Sequence, residues 1–481
     1  MRDRALHRLA AGCLLASFRG TRAPDWLLRR VEGGLGGVCL FGGNVRDAEQ
    51  VRGLVAALRG AREDVIVAVD EEGGDVARLE AVTGVGTPGN AALGAVDDVT
   101  LTVRVAEALG AALSGLGVTV DLAPVVDVNS NPDNPVIGVR SFGAAPDLVA
   151  RHGAAAVRGL QSGGVAACAK HFPGHGDTAT DSHLALPVVG ADAATLRRRE
   201  LVPFAAAIEA GVVAIMTSHV LVPALDDRPA TLSARVLTGL LREEMGFAGT
   251  VVTDALDMAG VGGEAAVGRT APEALGAGAD LLCLGANQDE DVAATATGAV
   301  AAAVRAGALG ADRLTAAAAS AARLGAPRPA AAGGGAPEAG EVGARRALRV
   351  IGPTPRPVRA PLVVELRPPA NIAAGEAAFG VGDALAARDP GTTVLALREG
   401  DPIPSPNGRA LVAVARDAAR HPWQRRALAA LVAGRPGAVV VELGWPGAPA
   451  PDGVTLIVTH GGSRASCRAV AELLSEGASD G

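Results

Sequence analysis

The chain of 481 residues contains no tyrosine, and aromatic residues make up only 2% of it. Recognition by stacked aromatic rings is therefore nearly excluded, and any polar ligand must be held mainly by hydrogen bonds. Lysine is almost missing as well: among 44 basic residues, Lys170 is the only one that is not arginine. Where Arg has replaced Lys so thoroughly, the surviving lysine is expected to do what Arg cannot, presenting a compact point charge at a crowded site. The five cysteines (Cys13, Cys39, Cys168, Cys283, Cys467) show no CxxC and no Cys/His metal spacing. An odd number so widely spread argues against a disulfide framework and suits a reducing compartment, and four of the five sit in apolar runs as small buried hydrophobes. There is no long basic run, and the net charge is −7. Nucleic acid and anionic membrane surfaces are thus not expected partners. No stretch of about 18 charge-free apolar residues is present to span a bilayer. Arg2, Arg4 and Arg8 ahead of Leu9-Ala-Ala-Gly-Cys13 superficially resemble a lipoprotein signal. The apolar stretch is too short for one, so Gly12–Ser17 reads as a first core strand and the cytoplasm as the expected location.

What is present is a regular alternation. Short β-rich runs at Gly12–Ser17, Gly37–Phe41, Val65–Asp70, Val118–Leu122, Val165–His171, Val212–Ser218, Thr250–Asp254 and Asp280–Leu284 are separated by Ala/Leu/Arg-rich helical stretches. Among these, Pro203–Ala210 and Ser233–Met245 carry apolar residues at helical spacing, with Ser233 a candidate N-cap and Gly246 a candidate stop. Eight strand–helix units predict a (β/α)8 barrel. Asp70, Lys170–His171, Ser218–His219 and Asp254 fall at strand C-termini, which a barrel gathers at one mouth and an open doubly wound sheet would scatter along a crevice. The segment Gly325–Val342 is rich in Pro, Ala and Gly and reads as a linker between residues 1–324 and a second, smaller α/β domain over 343–481. That domain's expected buried strands are Leu348–Ile351, Leu362–Leu366, Thr393–Leu397, Leu411–Ala415, Ala438–Leu443 and Thr455–Val458, with helices at Gln424–Ala433 and Ser466–Leu474.

Four stretches carry chemistry. In Lys170-His-Phe-Pro-Gly-His-Gly-Asp177-Thr-Ala-Thr-Asp181-Ser-His183, three of the eight histidines, the lone lysine and two aspartates fall within fourteen residues. Pro173, Gly174 and Gly176 make this a loop, directly after a buried strand. No metal is expected there, because Lys170 would repel a cation and Pro173-Gly174 breaks the helix that would align His171 with His175. In Asp181-Ser-His183, extended backbone would place carboxylate and imidazole on one side, so that Asp181 orients one ring nitrogen and the other is left to move a proton. Asp254, in Thr250-Val-Val-Thr-Asp254-Ala-Leu-Asp257-Met258, closes a β-branched strand and suits a carboxylate nucleophile. An N-cap is the alternative, and it fits Asp257 about as well. In Asp70-Glu-Glu-Gly-Gly-Asp-Val-Ala-Arg78, Asp70 is placed to accept from vicinal hydroxyls. Arg140, in Asn134-Pro-Val-Ile-Gly-Val-Arg140-Ser-Phe-Gly143, offers a planar donor fork. Arg78 and Arg140 are open to a second reading, as structural ion-pair partners.

Together KHFPGHGD, TDALDM, VDEEGG-x-V-x-R and NPVIG-x-RSFG resemble family 3 glycoside hydrolases over about residues 5–320. The Asp-Ser-His extension points to their β-N-acetylglucosaminidase (β-N-acetylhexosaminidase) branch. The resemblance implies a barrel followed by an α/β sandwich, no cofactor, and exo-acting hydrolysis of terminal β-linked N-acetylglucosamine with retention. The expected substrates are peptidoglycan-derived or chitin-derived oligosaccharides. It makes Asp254 the nucleophile and His183 the acid/base assisted by Asp181. Asp70, Arg78, Arg140, Lys170 and His171 would hold the sugar, with His219 nearby. One departure is Asp75, where the family often has Arg. Three rival readings are a phosphorylase, since an imidazole would not repel inorganic phosphate as a carboxylate would, a β-glucosidase, and a non-catalytic sugar-binding barrel. No catalytic motif is found in the C-terminal part.

Overall fold

The computed structural model describes residues 3–330, 336–369, 373, 379–447 and 453–476. Its first sheet contains eight parallel strands: β1 (Leu14–Ala16), β2 (Gly37–Leu40), β3 (Ile66–Val69), β4 (Val120–Asp121), β5 (Ala166–Phe172), β6 (Ala214–Thr217), β7 (Thr250–Val252) and β8 (Leu282–Cys283). They run in the order β7-β6-β5-β4-β3-β2-β1-β8, so sequence neighbours are spatial neighbours throughout. Each overlaps its expected range. Alternation along the strands sorts the apolar side chains into two sets. Leu15, Cys39, Ile66, Ala68, Val120, Leu122, Ala166, Cys168, Ala214, Met216 and Val252 form one cluster that fills the lumen. Leu14, Val38, Leu40, Val67, Val69, Ala167, Ala169, Ile215 and Val251 belong to the other, packed under the surrounding helices. The five cysteines are free and buried. Cys13 leads into β1, and burial pushes its thiol up to about 12.

The ring closes between β7 and β8 through a bridge of Val252 to Leu281. The Asp280 and Leu281 N–H groups both donate to Val251 O. Asp280 reinforces this seam. Its buried carboxylate accepts from Val251 N–H (3.0 Å), Arg242 (2.6 Å), Arg313 (2.8 Å) and Ser320 Oγ (3.0 Å). The helical stretch after β6 is wound with wide turns over Arg235–Glu244. Ser233 Oγ accepts from Val236 N–H at its start, and Gly246, at φ +71°, ends it.

A second, six-stranded sheet follows: β9 (Arg349–Ile351), β10 (Leu362–Leu366), β11 (Thr393–Leu397), β12 (Leu411–Ala415), β13 (Val439–Glu442) and β14 (Thr455–Val458), in the order β11-β10-β12-β13-β14-β9. All pairs are parallel except β14–β9. Helix Pro422–Val432 covers one face, and helices Val381–Arg388 and Arg464–Glu476 cover the other. The expectation of six buried strands is corrected at both edges. β9 and β11 are the outermost strands and are largely exposed, because each has a neighbour on one side only. Hydropathy alone does not separate an edge strand from an inner one.

The stretch read as linker is also partly ordered. Helix Ala339–Ala347 begins inside it, while residues 331–335 lie outside the described residues. The helix packs on helices Asn90–Val96 and Val99–Gly115 of the barrel. Its small residues are the reason. Gly340 lies so close to Gly86 that an added Cβ would fall 1.7 Å from the Gly86 carbonyl oxygen. Ala and Gly here make a contact face and do not only loosen the chain. Among the described residues no helix is long and apolar enough to cross a membrane.

Asp280→Ala should leave two arginines without their shared carboxylate at the barrel seam. The expected cost is about 3–5 kcal/mol, as for removal of one partner from a buried ion pair. It would be read as a fall in the melting temperature of the first unfolding transition.

Candidate active site

The lumen-facing series continues into the polar residues at the strand C-termini. After Ile66 and Ala68 comes Asp70; after Ala166 and Cys168 comes Lys170; after Val252 comes Asp254. The period of two that buries the small apolar residues below thus aims these charged groups into the mouth above.

Lys170 is 2% exposed and is held between two carboxylates, Asp70 Oδ1 at 2.5 Å and Glu72 Oε1 at 2.7 Å. Glu72 also takes a two-pronged grip from Arg140, whose Nε and Nη2 donate at 2.8 and 2.7 Å. Burial alone would raise the Glu72 carboxyl, but Arg140 and Lys170 outweigh it and hold the group far below the usual range. Lys170 is raised: burial opposes its charge, and Asp70 and Glu72 more than compensate. An ammonium fits between two acids where a guanidinium fork would not. The remaining Arg140 contacts are Nη1 to Val136 O (2.9 Å) and Nη2 to His171 Nε2 (3.4 Å). Arg140 is thus an ion-pair partner of Glu72 at the mouth. Glu71, beside it, accepts from the N–H groups of Arg78, Leu79 and Glu80, and so fixes the turn that ends in Arg78. The Arg78 side chain donates through Nη2 to Ala373 O, on the segment following β10.

A second chain of contacts begins at Asp127, in the segment after β4. Its carboxylate meets His171 Nδ1 at 2.7 Å and accepts from His175 N–H at 2.7 Å. His175 is buried, with Nδ1 2.8 Å from Thr178 Oγ1 and Nε2 3.0 Å from Ser182 Oγ. Burial pushes its imidazole down to about 4. Ser182 lies between Asp181 and His183, so this ring tethers the next element.

There, Asp181 Oδ1 meets His183 Nδ1 at 2.7 Å and also accepts from the His183 N–H at 2.9 Å. The two side chains meet as expected, but not through extended backbone. Residues 181–185 form a turn, with Leu184 and Ala185 N–H donating to Asp181 O, and the Asp181 carboxylate caps it. With Nδ1 engaged by Asp181, Nε2 of His183 is the ring nitrogen left to move a proton. Burial lowers the imidazole, but the Asp181 hydrogen bond and the charges of Asp254 and Asp181 prevail and raise it above its ordinary value. Asp254 thus lies within electrostatic reach of His183. The Asp254 carboxyl is itself held low: burial would raise it, and His219, His171 and His183 together outweigh that. Asp254 Oδ1 accepts from Ala255 N–H.

Asp257 caps no helix. It accepts from Gly285 N–H and Gln288 Nε2, joining the ends of β7 and β8. His219 has both ring nitrogens engaged, Nδ1 with Thr231 Oγ1 (2.8 Å) and Nε2 with Ala255 O (2.9 Å), so it braces the residue after Asp254. Lys170, His171, Asp70, Arg140, Asp181, His183, Asp254 and His219 are therefore brought to one mouth. Glu72, Asp127 and His175 complete it without having been assigned roles from the sequence. Asp127, six residues past the end of β4, lacks the strand-terminal placement that marks Asp70.

Residues 26–324 match the family described as glycosyl hydrolase family 3 N-terminal domain. Beta-hexosaminidase A of Pseudoalteromonas piscicida is 43% identical over 250 residues, which are 47% of this chain and 42% of that protein. The chain thus spans less than half the length of this curated relative. Beta-hexosaminidase of Chromobacterium violaceum is 39% identical over 265 residues, 53% of this chain and 73% of that protein. A solved family 3 β-N-acetylglucosaminidase from Paenibacillus sp. FPU-7 superposes with a TM-score of 0.84 at 32% identity, covering 98% of this chain and 96% of that one. Sequence motifs, barrel topology and these likenesses agree, and the chain belongs to glycoside hydrolase family 3.

Proposed function

We propose that this protein is a retaining, exo-acting β-N-acetylglucosaminidase that removes terminal β-linked N-acetylglucosamine from peptidoglycan-derived or chitin-derived oligosaccharides. The observation that carries the reading is the Asp181–His183 pair, poised within reach of the Asp254 charge at the barrel mouth. The names of the relatives and of the superposed Paenibacillus enzyme support the same substrate class.

In this reading Asp254, ionised and braced through Ala255, attacks the anomeric carbon while His183 Nε2 donates its proton to the leaving oxygen. The raised imidazole pKa suits a group that must start protonated. Once the aglycone has left, the neutral ring takes a proton from water, which attacks the glycosyl–Asp254 ester and restores the β configuration. Asp70 and Lys170 hold the ring hydroxyls. Arg78, Arg140 and His171 complete the sugar-holding set; Glu72 pairs with both Lys170 and Arg140, Asp127 meets His171, and His219 acts through Ala255. A cytoplasmic site of action fits the small lumen-filling free thiols.

A second reading, phosphorolysis, draws on the same imidazole, which carries no negative charge to repel inorganic phosphate. Turnover in phosphate buffer should then yield N-acetylglucosamine 1-phosphate; its absence removes this reading and leaves the first intact.

Asp254→Asn should lower turnover of an aryl β-N-acetylglucosaminide by more than about a thousandfold. Near-wild-type turnover by this variant would remove Asp254 from the chemistry. Asp181→Asn takes away a negative charge that raises the His183 pKa, so the imidazole loses its proton at lower pH. The alkaline limb of the kcat/KM profile should move acidward, and kcat/KM at its optimum should fall by up to about a hundredfold. An unmoved limb would mean that another group supplies the proton.

A further inference from the structure

The departure from the family at Asp75 has a partner in the second sheet. Asp75 is two residues beyond Gly73 in the turn between Asp70 and Arg78, and its carboxylate is 7% exposed. It forms an ion pair with Nη1 of Arg416, 341 residues away, and accepts from the Gly462 N–H at 2.7 Å. Arg416 follows β12, and Gly462 lies two residues ahead of helix Arg464–Glu476.

Both groups are rigidly mounted. Gln424, buried in helix Pro422–Val432, holds the backbone of Arg416 on both sides, accepting from its N–H (3.1 Å) and donating to its carbonyl (2.8 Å). Glu442, at the end of β13, accepts from the next two N–H groups, those of Asp417 and Ala418. Gly462 is confined as well, since an added Cβ there would fall 2.1 Å from Arg416 Nη2. On the barrel side the turn has equally little slack. A Cβ on Gly73 would meet Thr87 Oγ1 at 2.6 Å, and one on Gly74 would meet Gly89 Cα at 2.6 Å.

The position in the second sheet is informative. From β10 the chain goes outward to β11 and then returns to the other side of β10 as β12. The reversal between β10 and β12 is the switch point at whose C-terminal crevice open α/β sheets take their ligands. Arg416 stands at that crevice, and what it holds is a carboxylate from the barrel.

We propose that Arg416 is a positioning residue: the second domain takes Asp75 as its ligand and thereby fixes the turn that carries Asp70, Glu72 and Arg78. The proposal rests on the reading of Asp70 as a sugar-holding group. It gives the second domain, which contains no catalytic motif, a part in the sugar site. Glu72 transmits the effect further, because the same turn sets where Lys170 and Arg140 find their shared carboxylate. Arg78, donating to Ala373 O, is a second point at which this turn is held from the β10 side.

The test uses the full chain with Arg416→Met, Arg416→Lys and Asp75→Asn. Amide hydrogen exchange is followed over residues 70–78, and kcat and KM are measured on an aryl β-N-acetylglucosaminide. Arg416→Met should speed exchange in that peptide about tenfold or more while leaving the β-strand peptides protected. KM should rise about tenfold, with kcat/KM falling by up to about a hundredfold and the pH profile unmoved. Arg416→Lys should recover part of both effects. Asp75→Asn, which keeps an acceptor for Gly462, should reproduce them and decides the matter if Arg416→Met does not fold. Wild-type exchange over 70–78 in these variants would overturn the proposal, as would faster exchange with unchanged KM and kcat. A wild-type chain inactive on the glycoside would instead count against the proposed function, and the exchange measurement would still report whether the tie exists.

Discussion

Lys170 is buried beneath the barrel mouth with an ammonium that must find its counter-charges inside the protein, and the layout of the mouth follows from how it finds them. Removing a charge from water costs far more than a neutral hydrogen bond returns, so the site is stable only if the pairing is complete. Asp70 and Glu72 meet it from the end of β3, and Arg140 balances the second of these acids from the segment after β4. Two cations and two anions then cancel locally. The wall they form offers directed hydrogen bonds with no surplus charge, which suits a neutral sugar ring in a protein too poor in aromatic residues to stack one.

Much of this was legible in the sequence, for a definite reason. Strand length, the alternation of small apolar residues and the polar residue closing each run are local properties, and they gave the eight strands and the positions of Asp70, Lys170 and Asp254. The scarcity of lysine pointed to Lys170 because a residue type nearly eliminated elsewhere persists where its geometry is needed. What escaped was partnership. Nothing near Asp127 announces that it will meet His171, and the Glu71-Glu72 pair does not reveal which acid faces the cations and which caps a turn. The Asp-x-His spacing predicts the Asp181–His183 contact, but through extended loop backbone; an aspartate-capped turn achieves the same meeting. Burial at the second sheet's edges is not legible in the sequence, because strand order is a long-range fact.

The C-terminal region shows the limit most clearly. In sequence, Asp75 is only a departure from the arginine that the family often has. Its partner lies 341 residues along the chain, and the value of the substitution appears only when both ends are in view. Likewise the Ala- and Gly-rich stretch around residue 340 has a composition that fits a loose tether and a tightly seated helix equally well. Packing decided between them.

His175 sets the electrostatic state of the ground beneath the turn that carries His183. Its two nitrogens link Thr178 to Ser182, and burial keeps its ring uncharged down to about pH 4. In the proposed mechanism the imidazole that anchors the turn and the imidazole that exchanges protons are thus different residues, one shifted down and the other up. Over the range in which His183 changes charge, the hinge beneath it does not. In that mechanism the hydrogen bonds from His175 to Thr178 and Ser182 stay as they are when His183 exchanges its proton.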